Sequence, residues 1–290
     1  SAAIAGLVGA GAHVVDVGVS MTPTVAIATD AAARDNPNDL VAGMVLTASH
    51  NPPQWNGLKC LLAEGGSFGS SAAAPPAALA AQIIARFNQG SLSLAKWDEL
   101  GEITIQDSAS SLHVDRLLGA LEDAGFGDPT DLADGLNVAI DSVNASGVVG
   151  GAELMEAIGI SEFLHLGAEE TGIFPHAPEP TAANLSTPGG LCDAVREQSA
   201  DAGFAQDPDA DRLAIVDERG RYIGEEYTLA LSALAILTAQ KNSGQKTEGR
   251  VFVTNLSTSR MLDDVCGMFG ARVLRTPVGE ANVVEVMKRE

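Results

Sequence analysis

Three aspartates, Asp207, Asp209 and Asp211, occupy alternate positions in the segment DPDADR, residues 207–212. In a tight loop containing proline, side chains at i, i+2 and i+4 can converge on one point. Two carboxylates about 4 Å apart repel by on the order of 4 kcal/mol at an effective dielectric of 20. A hard cation removes that cost, and an all-oxygen ligand set without thiol or imidazole suits Mg2+ completed by water or phosphate oxygens. A solvated acidic turn accounts for the same residues without a ligand. A calcium loop counted from Asp207 fails, because its sixth position is Arg212 instead of glycine and a strand pattern follows. A phosphatase-type D-x-D nucleophile is a further alternative.

The second chemical signal is the stretch VAGMVLTASHNPPQWNGLKC, residues 41–60. An apolar run ends at Thr47, and Pro52 and Pro53 prevent continuation of a strand or helix, which leaves Ser49 at the end of a buried strand. Ser49 with His50 does not read as a hydrolase pair. Adjacent residues in an extended loop point apart, and the glycines of a nucleophile elbow are missing. A phosphorylated Ser49 would add about −1.5 to −2 charge and an oxygen ligand for a cation held by the aspartates.

Apolar periodicity and breaker residues predict the elements that position these groups. They give a helix over 1–10, a strand over 12–19, a helix over 22–33 opened by Thr22-Pro23, and a strand over 41–47. A small-residue loop over 64–76 and a helix over 77–87 complete a first unit, ending near residue 111. A second unit, 112–221, opens with a helix over 113–127 ended by glycine, and carries a strand, glycine-bearing turn and helix in succession over 136–160, strands over 162–166 and 202–206, a strand with a turn over 213–220, a helix over 191–201, and an irregular loop over 172–185. The third, 222–290, alternates helices over 225–240, 259–270 and 281–290 with strands over 250–255 and 271–278. The expected fold class is α/β, with three consecutive mixed α/β domains meeting at a shared cleft.

Composition agrees. Hydrophobic residues make up 46% and aromatics 4%, so the cores should consist of Ala, Val, Ile and Leu. A formal net charge of −21 argues against nucleic acid or an anionic membrane as partner. Cys60, Cys192 and Cys266 lack paired spacing, which fits neither a disulfide framework nor zinc and does fit a reducing cytoplasm. No run of 18 apolar residues occurs. Ser1 starts inside a helical pattern and Glu290 ends inside one, so the chain reads as cut at both ends.

TASHNP followed by NGLK, with DPDADR roughly 160 residues later, resembles the α-D-phosphohexomutases, the phosphomannomutase and phosphoglucomutase family. The resemblance runs over nearly the whole chain and implies the family's first three domains, without its N-terminal strand, third-domain sugar-reading loop and C-terminal domain. It implies a phosphotransferase-type isomerase interconverting hexose 1-phosphate and hexose 6-phosphate, of mannose or glucose, through phosphoserine and a hexose 1,6-bisphosphate that is both intermediate and activator. Ser49 is then the catalytic phosphoserine and Lys59 assists proton transfer at the sugar hydroxyl. Mg2+ is held by Ser49, Asp207, Asp209 and Asp211, and Arg212 and His50 bind substrate. RTPVGEANV, residues 275–283, resembles a third-domain segment near the sugar, with Gly279 and Glu280 facing the ligand. The family's usual glycine in the metal loop is Pro208 here. Two rival readings follow from the departures: a sugar-phosphate-binding protein without turnover, and a Mg-dependent phosphatase.

Overall fold

The computed structural model describes residues 1–63, 72–90, 92–133, 135–160 and 162–290. The small-residue loop expected over 64–76 falls largely outside them.

The first domain opens with α1 (Ala2–Gly9), β1 (Val14–Asp16) and α2 (Thr22–Asp35), then β2 (Ala42–Leu46) and β3 (Leu58–Leu62). β1 is shorter than the strand expected over 12–19, because positive-φ Gly18 turns the chain toward α2. β2 and β3 pair antiparallel, Val45 opposite Lys59. The sequence reading did not identify β3. After α3 (Ala77–Gln89), β4 (Ile103–Ile105) pairs parallel with β1, a second unexpected strand. Val25, Val45, Leu61 and Ala72 form the buried core between α2 and the β2–β3 pair.

α4 (Ala109–Asp123) runs through residue 111 and packs against α2 on one side and α5 (Gly147–Ala157) on the other. Thr24 Oγ1 meets His113 Nδ1 at 2.8 Å between α2 and α4. The second domain places β5 (Val138–Asp141) next to β6 (Leu164–Leu166) and carries α6 (Ala182–Leu185) and α7 (Leu191–Gln198) before β7 (Ala202–Gln206) and β8 (Leu213–Asp217). α6 is a short helix inside the loop expected over 172–185, capped by the Thr181 hydroxyl. The sheet order is β6-β5-β7-β8, with β8 antiparallel. Both faces of the sheet are covered. Leu191, Val195, Ala139 and Val216 pack on the α7 side, and Val138, Ile140 and Met155 on the α5 side. Burial on both faces is why β5 reads as a continuous apolar run.

The third domain comprises α8 (Glu225–Asn242), β9 (Val251–Asn255), α9 (Met261–Met268), β10 (Arg272–Thr276) and α10 (Glu280–Arg289). β9 and β10 pair in parallel, and their core gathers Ala233, Leu237, Leu262, Val265 and Cys266. Among the described residues no helix is long and apolar enough to cross a membrane.

Candidate active site

Ser49 lies just beyond β2 with φ of 52°. A non-glycine residue in this left-handed region costs on the order of 1–3 kcal/mol unless its surroundings fix it. The Ser49 N–H donates to Thr47 Oγ1 at 2.8 Å, which closes the local turn. The bend overturns one expectation: Ser49 and His50 do not point apart, because the chain is not extended here, and His50 Nδ1 lies 3.3 Å from Ser49 Oγ.

The hydroxyl of Ser49 donates to Asp207 Oδ2 at 2.9 Å, a contact between the first and second domains. Asp207 is fully buried at the start of the turn that leads into β8. Arg212 secures the same carboxylate through its backbone N–H (3.1 Å) and Nε (3.0 Å), and its Nη2 donates to Ser49 Oγ at 2.9 Å and also to His50 Nδ1. The fixed fork of the guanidinium thus ties Asp207, Ser49 and His50 together.

β3 brings Lys59 to the other two aspartates, with Nζ 2.6 Å from Asp209 Oδ2 and 2.8 Å from Asp211 Oδ2. Its pairing with β2 fixes the separation between the Ser49 loop and Lys59. One carboxylate oxygen from each of Asp207, Asp209 and Asp211 falls within 4.8 Å of the others. The loop turns through Ala210, with φ of 50°, and Ser146 holds Pro208 O with its N–H (3.1 Å) and its hydroxyl (2.7 Å).

The electrostatics follow from this packing. Burial pushes the Asp207 carboxyl above the ordinary range, and the charges of Asp211 and Asp209 push it further, against Arg212 and Ser49. Burial acts upward on Asp209 too, but its hydrogen bond and charge interaction with Lys59, and its bond from Thr22, outweigh that and hold it below the ordinary range. Burial works to lower Lys59, yet its bonds to Asp209 and Asp211 prevail and raise it, so Lys59 is an ammonium as placed.

The residues present fit a hard cation. Asp209 Oδ1 is buried without a hydrogen-bond partner among the described residues. Leaving a carboxylate oxygen unsatisfied in the interior is costly, and a divalent ion bound by its neighbours supplies what it lacks.

His50 also faces Glu179, Nε2 to Oε1 at 3.7 Å, across a cavity of about 810 Å3 between residues 50–53 and the 172–184 segment. Below Glu179, His176 Nε2 meets buried Asp141 Oδ2 at 2.8 Å. Gly279 precedes α10 with φ of 131°, and Glu280 begins that helix, exposed. No hydrogen bond or ion pair joins either residue to the Ser49–Asp207 cluster among the described residues. Sequence reasoning missed Thr22, Ser146 and Glu179. Thr22 is visible in sequence only as a helix start, and nothing local marks the other two.

Comparison with known proteins agrees with the geometry. The α/β/α domains I, II and III of phosphoglucomutase/phosphomannomutase match residues 1–85, 126–220 and 226–290. The chain is 33% identical, over all of its length, to a "Probable phosphoglucosamine mutase" from Methanopyrus kandleri, and 32% identical over 99% of its length to a "Phosphoglucomutase/phosphomannomutase" from Thermococcus kodakarensis. It covers 57% and 56% of these relatives. A crystal structure of a phosphoglucomutase/phosphomannomutase family protein from Burkholderia thailandensis superposes with a TM-score of 0.74 at 25% identity, over 98% of this chain and 56% of that one. A serine and an aspartate triplet brought together from two such domains, on a chain matched end to end, place this protein in the phosphoglucomutase/phosphomannomutase family of the α-D-phosphohexomutases.

Proposed function

We propose that the protein serves phosphoryl transfer between the 1- and 6-positions of a hexose phosphate, with Ser49 as phosphoryl carrier. The observation that carries this reading is the Ser49 hydroxyl 2.9 Å from Asp207, beside two further carboxylates and within reach of Arg212. Phosphorylated Ser49 would donate its phosphoryl group to a sugar hydroxyl. The phosphorus–Oγ bond breaks as a phosphorus–sugar oxygen bond forms, leaving a hexose 1,6-bisphosphate. After the bisphosphate turns, the other phosphate returns to Ser49.

Arg212 is placed to hold an oxygen of the transferring group, since its Nη2 already donates to Oγ. Lys59 enters as an ammonium and can give a proton to a leaving oxygen. It can accept one from the attacking sugar hydroxyl only after losing its own. Asp207, Asp209 and Asp211, with a phosphoserine oxygen, would hold Mg2+, which offsets the charge that spreads over the phosphoryl oxygens during transfer. His50 and the cavity beside it are placed to meet the sugar phosphate, and Gly279 and Glu280 would approach it from the third domain only on closure. The sugar is a hexose, mannose or glucose; the relatives named for phosphoglucosamine add a hexosamine to that class.

Incubation with Mg2+, hexose 1-phosphate and a trace of hexose 1,6-bisphosphate should yield hexose 6-phosphate by phosphorus NMR. Mass spectrometry of the peptide holding TASHNPPQWNGLK should show added phosphate on Ser49. Release of inorganic phosphate alone would instead identify a phosphatase, and saturable binding without product a binding protein.

A further inference from the structure

We propose that Thr22, in the first domain, is a positioning residue for the cation site in the second; the inference rests on the Mg2+ reading above. Thr22 is the first residue of α2. Its backbone N–H donates to Asp209 O at 2.9 Å and its hydroxyl donates to Asp209 Oδ2 at 3.0 Å. Two bonds from one residue fix both the backbone and the side-chain torsion of Asp209. Lys59 Nζ takes the same oxygen, Oδ2, at 2.6 Å. With Oδ2 engaged twice, the carboxylate is turned so that Oδ1 is the oxygen left without a donor, in a residue only 3% exposed. Thr22 and Lys59 together therefore decide which Asp209 oxygen a cation meets, and of the two it is Thr22 that also holds the Asp209 backbone.

The clamp is itself anchored. Met21 is buried, and its terminal methyl lies over Gly150 of α5, where an added Cβ would come within 2.3 Å of Met21 Cε and displace that side chain, so the α2 N-terminus seats closely against the second domain. The positive end of α2 also favours the Asp209 charge beside it. Outer-shell partners of metal ligands act in this way, by fixing orientation. Docking of α2 thus contributes the donors that orient Asp209 at the cation site.

The test compares Mg2+ titrations by calorimetry, and Mn2+ titrations by electron paramagnetic resonance, for the parent, Thr22→Val and Thr22→Ser, with melting curves recorded without metal. Loss of the hydroxyl in Thr22→Val should weaken cation binding about 10-fold, the lower end for an outer-shell partner, while Thr22→Ser stays within about 3-fold of the parent. Thr22→Ala, which removes the same hydroxyl with less crowding, takes the place of Thr22→Val if that variant does not fold. Equal affinity in parent and Thr22→Val, or equal weakening in Thr22→Ser and Thr22→Val, overturns the clamp while leaving the cation reading intact. A folded parent that binds neither Mg2+ nor Mn2+ overturns both. A purely structural role would lower the melting temperature without separating the serine variant from the valine variant in affinity.

Discussion

Arg212 shows how much one side chain arranges at the site. Its contacts to Asp207 and Ser49 require a planar fork, which an ammonium cannot reproduce. Arg212→Lys should lose a charge-assisted bond of about 1.5–3 kcal/mol, lowering kcat/KM for the proposed hexose phosphate reaction about 10- to 150-fold in steady-state assays with little change in far-UV circular dichroism. Asp209→Asn removes a charge from the proposed cation site and leaves Lys59 with one fewer carboxylate. Mg2+ affinity should fall at least about 10-fold, the scale of outer-shell losses, a larger change than the loss of fold stability read from the melting curve; unchanged Mg2+ dependence would restore the solvated-turn reading. His176 gives a pH prediction away from the cation site. Its hydrogen bond to Asp141, against burial, raises it above its ordinary value of 6.5. A raised folded value means the pair's contribution to stability is complete below the unfolded value and disappears as pH rises through the folded one. The stability difference between parent and His176→Gln, from urea unfolding between about pH 5.5 and about pH 8.5, should therefore be largest at the acid end.

At the scale of elements, the site depends on packing that leaves few alternatives. β5 is buried along its whole length between α5 and α7, and Asp141 at its end sits in that closed environment, meeting His176 and bonding the Val143 N–H at 3.0 Å. Gly203 in β7 shows the tightness directly: a Cβ there would come within 2.6 Å of Val195 Cγ2 on α7. α8 presents a different balance. Its charges, Glu225, Glu226 and Lys241, sit at the two ends and apolar residues run around the rest of the helix, Leu229 and Leu231 exposed, while Leu237 is fully buried against Leu262 and Cys266 of α9. Leu237→Ala should destabilise the third domain by about 2–5 kcal/mol, through lost apolar contact and the cavity left behind. Denaturant unfolding followed by hydrogen exchange in α8 and α9 would register this, with Mg2+ binding by the second domain left intact.

Across the whole molecule, the contacts Ser49–Asp207, Lys59–Asp209, Lys59–Asp211 and Thr22–Asp209 all join the first domain to the second. α4 packs between these domains and is tied to α2 by Thr24 and His113, so residue 111 lies within an anchored helix. The third domain follows through Gly224, at φ of 103°, where α8 begins. Closure over a ligand is accordingly expected as movement of the third domain about residues 221–224, with the first two moving little. Hydrogen exchange should slow around Ser49, residues 207–212 and residues 276–281 when hexose 1,6-bisphosphate binds, while α4 is protected in both states. Unchanged exchange at all three segments on saturation would remove the shared cleft.

The sequence by itself determined the alternation of helices and strands, the apolar strands β2, β5 and β9, and the two motifs, because periodicity and breaker residues are local properties. β3 and β4 were not legible. Leu58–Leu62 follows Pro and Gly residues that mark a loop, and Ile103–Ile105 is only three residues long, so each becomes a strand through its partner and not through its own pattern. The aspartate spacing announced a possible cation site but left it balanced against a solvated turn; burial of Asp207 and Asp209, and the unpartnered Asp209 Oδ1, are properties of the packed fold. The two motifs and the resemblance they carry already assigned Ser49 and the three aspartates to one site; tertiary structure alone decided that Arg212 joins Ser49 to Asp207, that Lys59 bridges Asp209 and Asp211, and that Thr22, a helix start in the sequence, reaches Asp209. The pairs that cross between the domains lie 150 or more residues apart, beyond the reach of any local signal, and they form only when α2, β3 and the turn before β8 are held together by the cores around them.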